Sequence, residues 1–155
     1  MPKPNKQPKA PAASKQRKQP RDEIKDSPRK EPRTAERTET IRPLWSFKYI
    51  DVGGPWCFGV MSGETLRTVL QRLKGFESLT WSELRSQGSH DVELFNLIKE
   101  AQERLIELKQ EEIDALYSLR VSNKERIWAI KQGHILRLLW WDPEHQIYPY
   151  QLKHT

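Results

Sequence analysis

Apolar positions recur with a helical period in the middle of the chain and with a strand period on either side of it. Aromatic and β-branched residues dominate positions 44–52, which predicts a first strand. After a Gly-Gly-Pro break, a helical spacing begins at Ser62 and extends to Gly75, which we expect to cap the helix. The expected apolar face of this helix consists of Leu66, Val69, Leu70 and Leu73.

Two further helices are predicted before the strand pattern returns. Thr80 and Glu83 have the spacing of a capping box, which indicates the start of a short helix. Ser89 or Asp91 is then expected to cap a longer helix, because the apolar residues that follow are spaced by four and three. Those apolar residues are Leu94, Ile98, Ala101, Leu105 and Leu108.

Three apolar runs near the C-terminus predict an antiparallel meander. The runs cover 116–121, 126–131 and 135–141, and only short turns separate them. Pro143 ends the last strand because proline has no amide hydrogen for the ladder. The predicted fold class is therefore α+β, with an N-terminal strand, two to three helices and a three-stranded antiparallel meander.

The first 43 residues differ in composition from everything that follows. They contain 13 basic and 6 acidic residues, 8 of the 11 prolines and no aromatic residue. Residues 44–155 contain 14 basic and 15 acidic residues and all 14 aromatic ones. Because a segment so poor in apolar residues cannot offset its ordering entropy, we predict a disordered basic tail over 1–43 and a single α+β domain over 44–155.

Basic clusters in the tail are candidate nucleic-acid contacts, since lysine and arginine bind phosphates with release of counterions. The candidates are Lys15, Arg17, Lys18, Arg21, Arg29, Lys30 and Arg33. The alternative is a solvated tail that keeps the protein in solution.

Several classes of protein are excluded by composition. No apolar run approaches the ~20 residues of a membrane span, and the N-terminus lacks the apolar core of a secretory signal. Cys57 is the only cysteine, which excludes an intrachain disulfide and paired-cysteine zinc sites and is typical of a reducing compartment. We therefore expect a cytoplasmic protein without membrane association, and the absence of cofactor-binding motifs predicts no cofactor.

Arginines on apolar strands are the most informative chemical feature. Arg120, Arg126 and Arg137 interrupt runs that are otherwise almost wholly apolar, and a guanidinium there must be paired or face an anion. If Arg120 and Arg126 share an open face of the sheet, that face is a candidate phosphate site. His145 and Tyr148, which follow the last strand, are then candidates for proton transfer.

Two alternatives to this phosphate site remain open. The arginines could instead pair with the acidic residues Glu100, Glu103 or Glu125, or extend from the sheet edges so that their charged ends reach water. Asp142 and His145 could bind a metal with His134, although the bland interpretation is that Asp142 caps a turn.

Two neighbouring tryptophans near the end of the last strand predict an aromatic side chain on the open face. Trp140 and Trp141 must point to opposite faces of the sheet. We expect one of them to pack under the helices and the other to lie beside the arginines, where it is a candidate for stacking on a base.

The order of these elements resembles the RelE/ParE superfamily of bacterial toxins. The resemblance rests on residues 116–148, with a Leu-x-x-Leu-Arg strand, a short turn, an Arg-initiated strand, a glycine turn and a third apolar strand. In ribonuclease members of that family, basic residues on the sheet stabilise the scissile phosphate. By position, the resemblance implies Arg120 and Arg126 as phosphate ligands and His145 or Tyr148 as the acid or base.

The leading functional hypothesis is therefore a RelE-like toxin-type protein, a candidate RNA-cleaving endoribonuclease. Its expected partners are RNA or the ribosome, and an antitoxin-like protein. The alternative is a non-catalytic interaction module whose body binds a protein and whose basic tail binds nucleic acid.

Overall fold

The computed structural model describes residues 41–149, together with positions 2 and 4. The described strands are β1 (Leu44–Ser46), β2 (His90–Glu93), β3 (Ala115–Arg120), β4 (Arg126–Gln132) and β5 (Ile135–Asp142). The described α-helices are α1 (Gly63–Phe76), α2 (Trp81–Ser86) and α3 (Lys99–Glu107). The predicted disordered tail lies almost entirely outside the described residues.

The predicted α+β class is confirmed, and the sheet is larger and more mixed than a meander alone. Its five strands lie in the order β1-β5-β4-β3-β2. The antiparallel pairs β3–β4 and β4–β5 form the predicted meander. β1 adds to it in parallel beside β5, and β2 adds antiparallel beside β3.

Both faces of the sheet are covered, each by its own apolar core. On one face, α1 and α2 pack against alternate residues of β3, β4 and β5, among them Tyr117, Ile127 and Trp141. On the other face, α3 and the segment around Trp56 pack against the intervening residues, among them Trp128. We call the second one the α3 face.

The prediction of an open sheet face with an exposed tryptophan is wrong. Trp140 and Trp141 do point to opposite faces, as the strand geometry requires, but both are buried. Trp140 lies under Trp56, with their ring centroids 5.1 Å apart. Neither indole is therefore available for stacking on a base.

The predicted long helix from Ser89 or Asp91 is also wrong in its first half. Residues 90–93 form the edge strand β2, in which Val92 is buried opposite Leu116. A 3-10 turn follows over Leu94–Asn96, and α3 begins only at Lys99. The pairing partner that makes this segment a strand lies more than twenty residues away in sequence, so local helical spacing gave no sign of it.

The first helix has the predicted start but a different end. The Ser62 hydroxyl accepts a hydrogen bond from the Thr65 amide and caps α1. Gly75 lies within the helix rather than after it, and Glu77 takes the cap position. The capping box of Thr80 and Glu83 at α2 is confirmed, with both reciprocal hydrogen bonds present.

A buried carboxylate anchors the loop that follows the first strand. The Asp51 carboxylate accepts hydrogen bonds from the Gly53 and Gly54 amides, the Arg104 guanidinium and the Trp140 indole. The two Arg104 contacts, at 2.8 and 2.7 Å, form a bidentate ion pair. This network attaches the loop after β1 to α3 and to β5. The predicted first strand over 44–52 is therefore too long, since β1 ends at Ser46 and the residues around Asp51 belong to this loop.

No helix within the described residues is long and apolar enough to span a bilayer.

The Asp51 network generates a stability prediction. Hydrogen bonding from Arg104 lowers the pKa of Asp51 to about 2, so the ionised form stabilises the fold at neutral pH. We expect Asp51→Asn to lower the free energy of unfolding by about 2 kcal/mol at pH 7. Because a depressed carboxyl pKa contributes stability that is lost as pH falls, this difference from wild type should shrink from about pH 4 downwards.

Urea unfolding at a series of pH values measures this difference. Asp114→Asn is the matched control, since Asp114 is exposed. An equal loss of stability in both variants, or a loss independent of pH, would contradict the assigned role of Asp51.

Candidate functional site

A polar cavity of about 270 Å³ lies on the α3 face, where β3 ends and β4 begins. It brings together all four residues that the sequence nominated for catalysis. The described residues that line it are Gly88, His90, Ser118, Arg120, Arg126, His145, Tyr148 and Pro149. None of these is acidic, so the described lining is cationic and rich in hydrogen-bond donors.

Two arginines lie directly opposite each other across the sheet at this cavity. Arg120 and Arg126 are register partners in the β3–β4 ladder, so their side chains leave the same face. Arg126 is only 4% exposed. Two like charges placed side by side at a partly buried position repel each other, and this arrangement favours an anion between or above them.

The turn between β3 and β4 holds both guanidinium groups. Arg126 Nη1 donates to the carbonyl oxygens of Ser122, Asn123 and Glu125, at 2.7, 3.2 and 3.1 Å. Arg120 donates from Nε to the Ser122 carbonyl and from Nη2 to the Asn123 side chain. These bonds fix the two side chains in place. Their acceptors differ from the carboxylates of Glu100, Glu103 and Glu125, which were the alternative partners expected from the sequence.

Arg120 also depends on the loop that precedes β2. Gly88 has φ +98°, and a Cβ atom there would lie 2.9 Å from Arg120 Cδ. Only glycine therefore fits both the backbone conformation and the space beside the arginine. The buried Ser89 hydroxyl accepts a hydrogen bond from the Arg120 amide at 2.9 Å, which fastens this loop to the end of β3.

The buried carboxylate of Asp142 shapes the segment that carries His145 and Tyr148. It accepts hydrogen bonds from the Gln146 amide at 2.8 Å and from the Ile147 amide at 3.0 Å. The bland interpretation of Asp142 as a turn cap is thus confirmed. His145, within the capped turn, has φ +56°, a left-handed conformation that is uncommon for histidine.

Ile147 anchors the same segment to the α3 face. Its side chain is fully buried, and its carbonyl oxygen accepts a hydrogen bond from the Ile98 amide at the start of α3. Because His145 and Tyr148 lie on either side of this anchor, their rings are held against the cavity.

Burial and charge favour the neutral form of His145. Desolvation is the largest cause that lowers its pKa below the usual value, and the positive charge of Arg126 lowers it further. A neutral imidazole accepts protons, so the environment favours His145 as a general base.

His90, Ser118 and Gly88 also line the cavity, although no local pattern in the sequence marks them as site residues. His90 and Ser118 are register partners on β2 and β3, and the His90 ring lies edge-on to Tyr148 with centroids 6.5 Å apart. His90 was missed because the segment that starts at Ser89 or Asp91 was predicted to be a helix. The available signal for a strand was the single apolar residue Val92 between the acidic residues Asp91 and Glu93.

The remaining candidates lie elsewhere. Arg137 lies near the other end of β5, with its guanidinium 4.7 Å from the centre of the Tyr49 ring. His134 is in the turn before β5, whereas Asp142 ends that strand, so these two are a full strand length apart and cannot share a metal. Among the described residues, no group of three or more His, Cys, Asp or Glu side chains is placed to hold a metal ion.

The seven tail candidates for nucleic-acid binding lie outside the described residues. They are Lys15, Arg17, Lys18, Arg21, Arg29, Lys30 and Arg33.

In comparisons with known proteins, no family model matches this chain, and no match was found among curated proteins or among solved structures.

The electrostatics of the cavity generate a titration prediction. We expect His145 to titrate below the usual pKa of about 6.5, because it is desolvated and faces Arg126. Replacing the charge in Arg126→Gln should raise this pKa towards the usual value. NMR titration of the imidazole Cε1 proton measures it directly.

Arg137→Gln is the matched control for this titration. It removes a strand arginine at the far end of β5 and should leave the His145 pKa unchanged. An equal rise in both variants, or no rise in Arg126→Gln, would show that the local charge of Arg126 does not act on His145.

Proposed function

We propose that this protein is a metal-independent endoribonuclease of RelE-like toxin type, with its active site in the cavity on the α3 face. The observation that carries the proposal is the convergence of Arg120, Arg126, His145 and Tyr148 on one cavity with no acidic residue in its described lining. Two cationic groups and two proton-transfer groups are the parts that cleavage of a phosphodiester by its own 2′-hydroxyl needs.

The proposed reaction begins with the scissile phosphate above the two arginines. Their side chains are immobilised by the β3–β4 turn before any substrate binds, so they lose little freedom in the reaction. Negative charge grows on the phosphate oxygens as the 2′-oxygen attacks, and fixed positive charge stabilises that transition state more than the ground state.

His145 is the group that accepts the 2′-hydroxyl proton in this proposal. Its burial next to Arg126 favours the neutral imidazole, which is the form a base requires. The sequence left the proton-transfer role open between His145 and Tyr148. The surroundings that favour a neutral imidazole are the reason that we assign the base to His145. Tyr148 lines the same cavity and can hydrogen-bond to the sugar or phosphate.

The order of elements also supports the RelE-like part of the proposal. A first strand, two helices and a terminal antiparallel meander occur in the order that the resemblance implied. β2 and α3 are inserted between the helices and the meander, and β2 supplies part of the cavity wall. RNA or ribosome-bound RNA as substrate, an antitoxin-like partner and a cytoplasmic location all remain predictions.

Cleavage of RNA by the purified full-length chain tests the proposal. We expect a labelled oligoribonucleotide, alone or bound to ribosomes, to be cut without added metal and to give a 2′,3′-cyclic phosphate end. Arg120→Ala and His145→Gln should each lower the rate by at least about 100-fold, the usual cost of a lost charge or proton-transfer group. Gel electrophoresis with end-group analysis measures both rate and product.

Arg137→Ala is the control for this experiment, because it removes an arginine of the same sheet outside the cavity. Thermal unfolding of each variant checks that the fold persists. Wild-type protein that leaves RNA intact in both settings, or variants that cut as fast as wild type, would overturn the proposal.

A non-catalytic interaction module is the second candidate, and the outer surface of α1 favours it. Leu66 and Leu70 are one helical turn apart and are 44% and 53% exposed. With Arg67 and Lys74 they line a shallow groove of about 370 Å³. An exposed apolar groove with basic margins is suited to an acidic amphipathic partner.

Growth arrest on induced expression in bacteria separates the two candidates. If the protein is an enzyme, arrest should disappear in His145→Gln and persist in a double variant with Leu66→Asp and Leu70→Asp. If it acts by binding through α1, the opposite pattern is expected. Deletion of residues 1–43 tests separately whether the basic tail contributes.

A further inference from the structure

We propose that His90 is the second proton-transfer residue of this site and protonates the 5′-oxygen leaving group of the RNA. The inference rests on the proposed function and names a catalytic residue in addition to those found from the sequence. It starts from the position of His90 on the edge strand β2, in the wall of the same cavity as His145.

The sheet register places His90 on the cavity side of β2. His90 is opposite Ser118, and Val92, two residues further on, is buried in the core of the α3 face. Since residues two apart on a strand share a face, the His90 side chain leaves β2 on the same face as Arg120 and Arg126. The imidazole is exposed, so it can meet a substrate at the mouth of the cavity.

A backbone contact indicates which nitrogen of His90 transfers the proton. Its Nδ1 lies 3.0 Å from the carbonyl oxygen of Asp91. A carbonyl oxygen only accepts hydrogen bonds, so Nδ1 carries a proton in this contact. Nε2 is then the nitrogen that gains and loses the transferred proton.

His90 and His145 have different surroundings. His145 is half-buried and next to Arg126, which favours its neutral form, as a base requires. His90 is exposed at the edge strand, in the wall of the same cavity. Two imidazoles in one cavity wall can serve the two proton transfers of one cleavage reaction.

Tyr148 positions the proposed acid. Its ring makes an edge-on contact with the His90 ring, and its own segment is anchored through Ile147 and Asp142. The same anchor therefore orients His145 directly and His90 through Tyr148.

The step balances with these two residues alone. The neutral His145 takes the 2′-hydroxyl proton as the 2′-oxygen forms a bond to phosphorus. The bond from phosphorus to the 5′-oxygen breaks, and its electron pair accepts the proton from Nε2 of the His90 imidazolium. The products are a 2′,3′-cyclic phosphate, a free 5′-hydroxyl, a protonated His145 and a neutral His90.

A leaving group that needs no proton tests this role. The substrates are an oligoribonucleotide with one cleavable phosphodiester and its 5′-bridging phosphorothiolate analogue, which differs by a single sulfur atom. Thiolate leaves as an anion at neutral pH. We expect His90→Ala to slow cleavage of the oxygen substrate by at least about 100-fold and to cleave the sulfur substrate at nearly the wild-type rate.

Matched variants make the result specific. His145→Gln should slow both substrates, because it removes the base that both need. His134→Ala, which replaces an exposed histidine in the turn before β5, should slow neither. His90→Gln retains the size of the side chain without proton transfer and should behave as His90→Ala.

Each remaining outcome counts against the inference. Equal slowing of both substrates by His90→Ala would mean that His90 does not protonate the leaving group, and no slowing would mean that it is not used. Sulfur rescue in Tyr148→Phe instead would assign the acid to Tyr148. If wild-type protein cleaves neither substrate, alone or bound to ribosomes, the proposed function itself fails.

Discussion

The buried carboxylate of Asp142 is the interaction on which the candidate site depends. It is fully buried, and it accepts the Trp128 indole hydrogen from the sheet and two amide hydrogens from the segment that follows. A buried carboxylate is costly unless such donors surround it. The segment after β5 supplies two of these donors, which requires it to turn over the sheet. His145 in its left-handed conformation and Tyr148 beyond it follow from that turn, and the turn places both next to the arginines.

Asp51 is a second buried carboxylate that anchors a loop on the α3 face. Each of the two aspartates receives an indole hydrogen from a buried tryptophan, Trp140 in one case and Trp128 in the other. Each also accepts hydrogen bonds from backbone amides of the loop that follows it, and these bonds hold the loop against the sheet. The two tryptophans are register partners on β4 and β5. One cross-strand pair thereby fastens both covering segments of this face, and the segment after β5 supplies part of the cavity wall.

The placement of the arginines and the protonation of His145 are linked through Arg126. The arginines hold the β3–β4 turn through its carbonyl oxygens, and the turn holds the arginines at the cavity. The positive charge of Arg126 in turn favours neutral His145. An anion that binds between the arginines would lessen that effect and make proton uptake by His145 easier, which is the direction a general base needs as negative charge develops on a phosphate.

The sequence by itself determined the α+β class, the capping box of α2 and the meander of β3, β4 and β5. It also determined four residues of the cavity. Strand periodicity, capping residues and arginines within apolar runs are all local signals. Only the tertiary structure decided that β1 joins the sheet in parallel, that both faces are covered and that residues 90–93 form a strand. Val92 fits either a helix face or a strand, and burial opposite Leu116 settles the choice. His90 entered the site by that same pairing. Only its position in the sheet identifies His90 as a candidate site residue. A histidine among polar residues has no distinguishing sequence pattern, so the neighbouring strand must be known first.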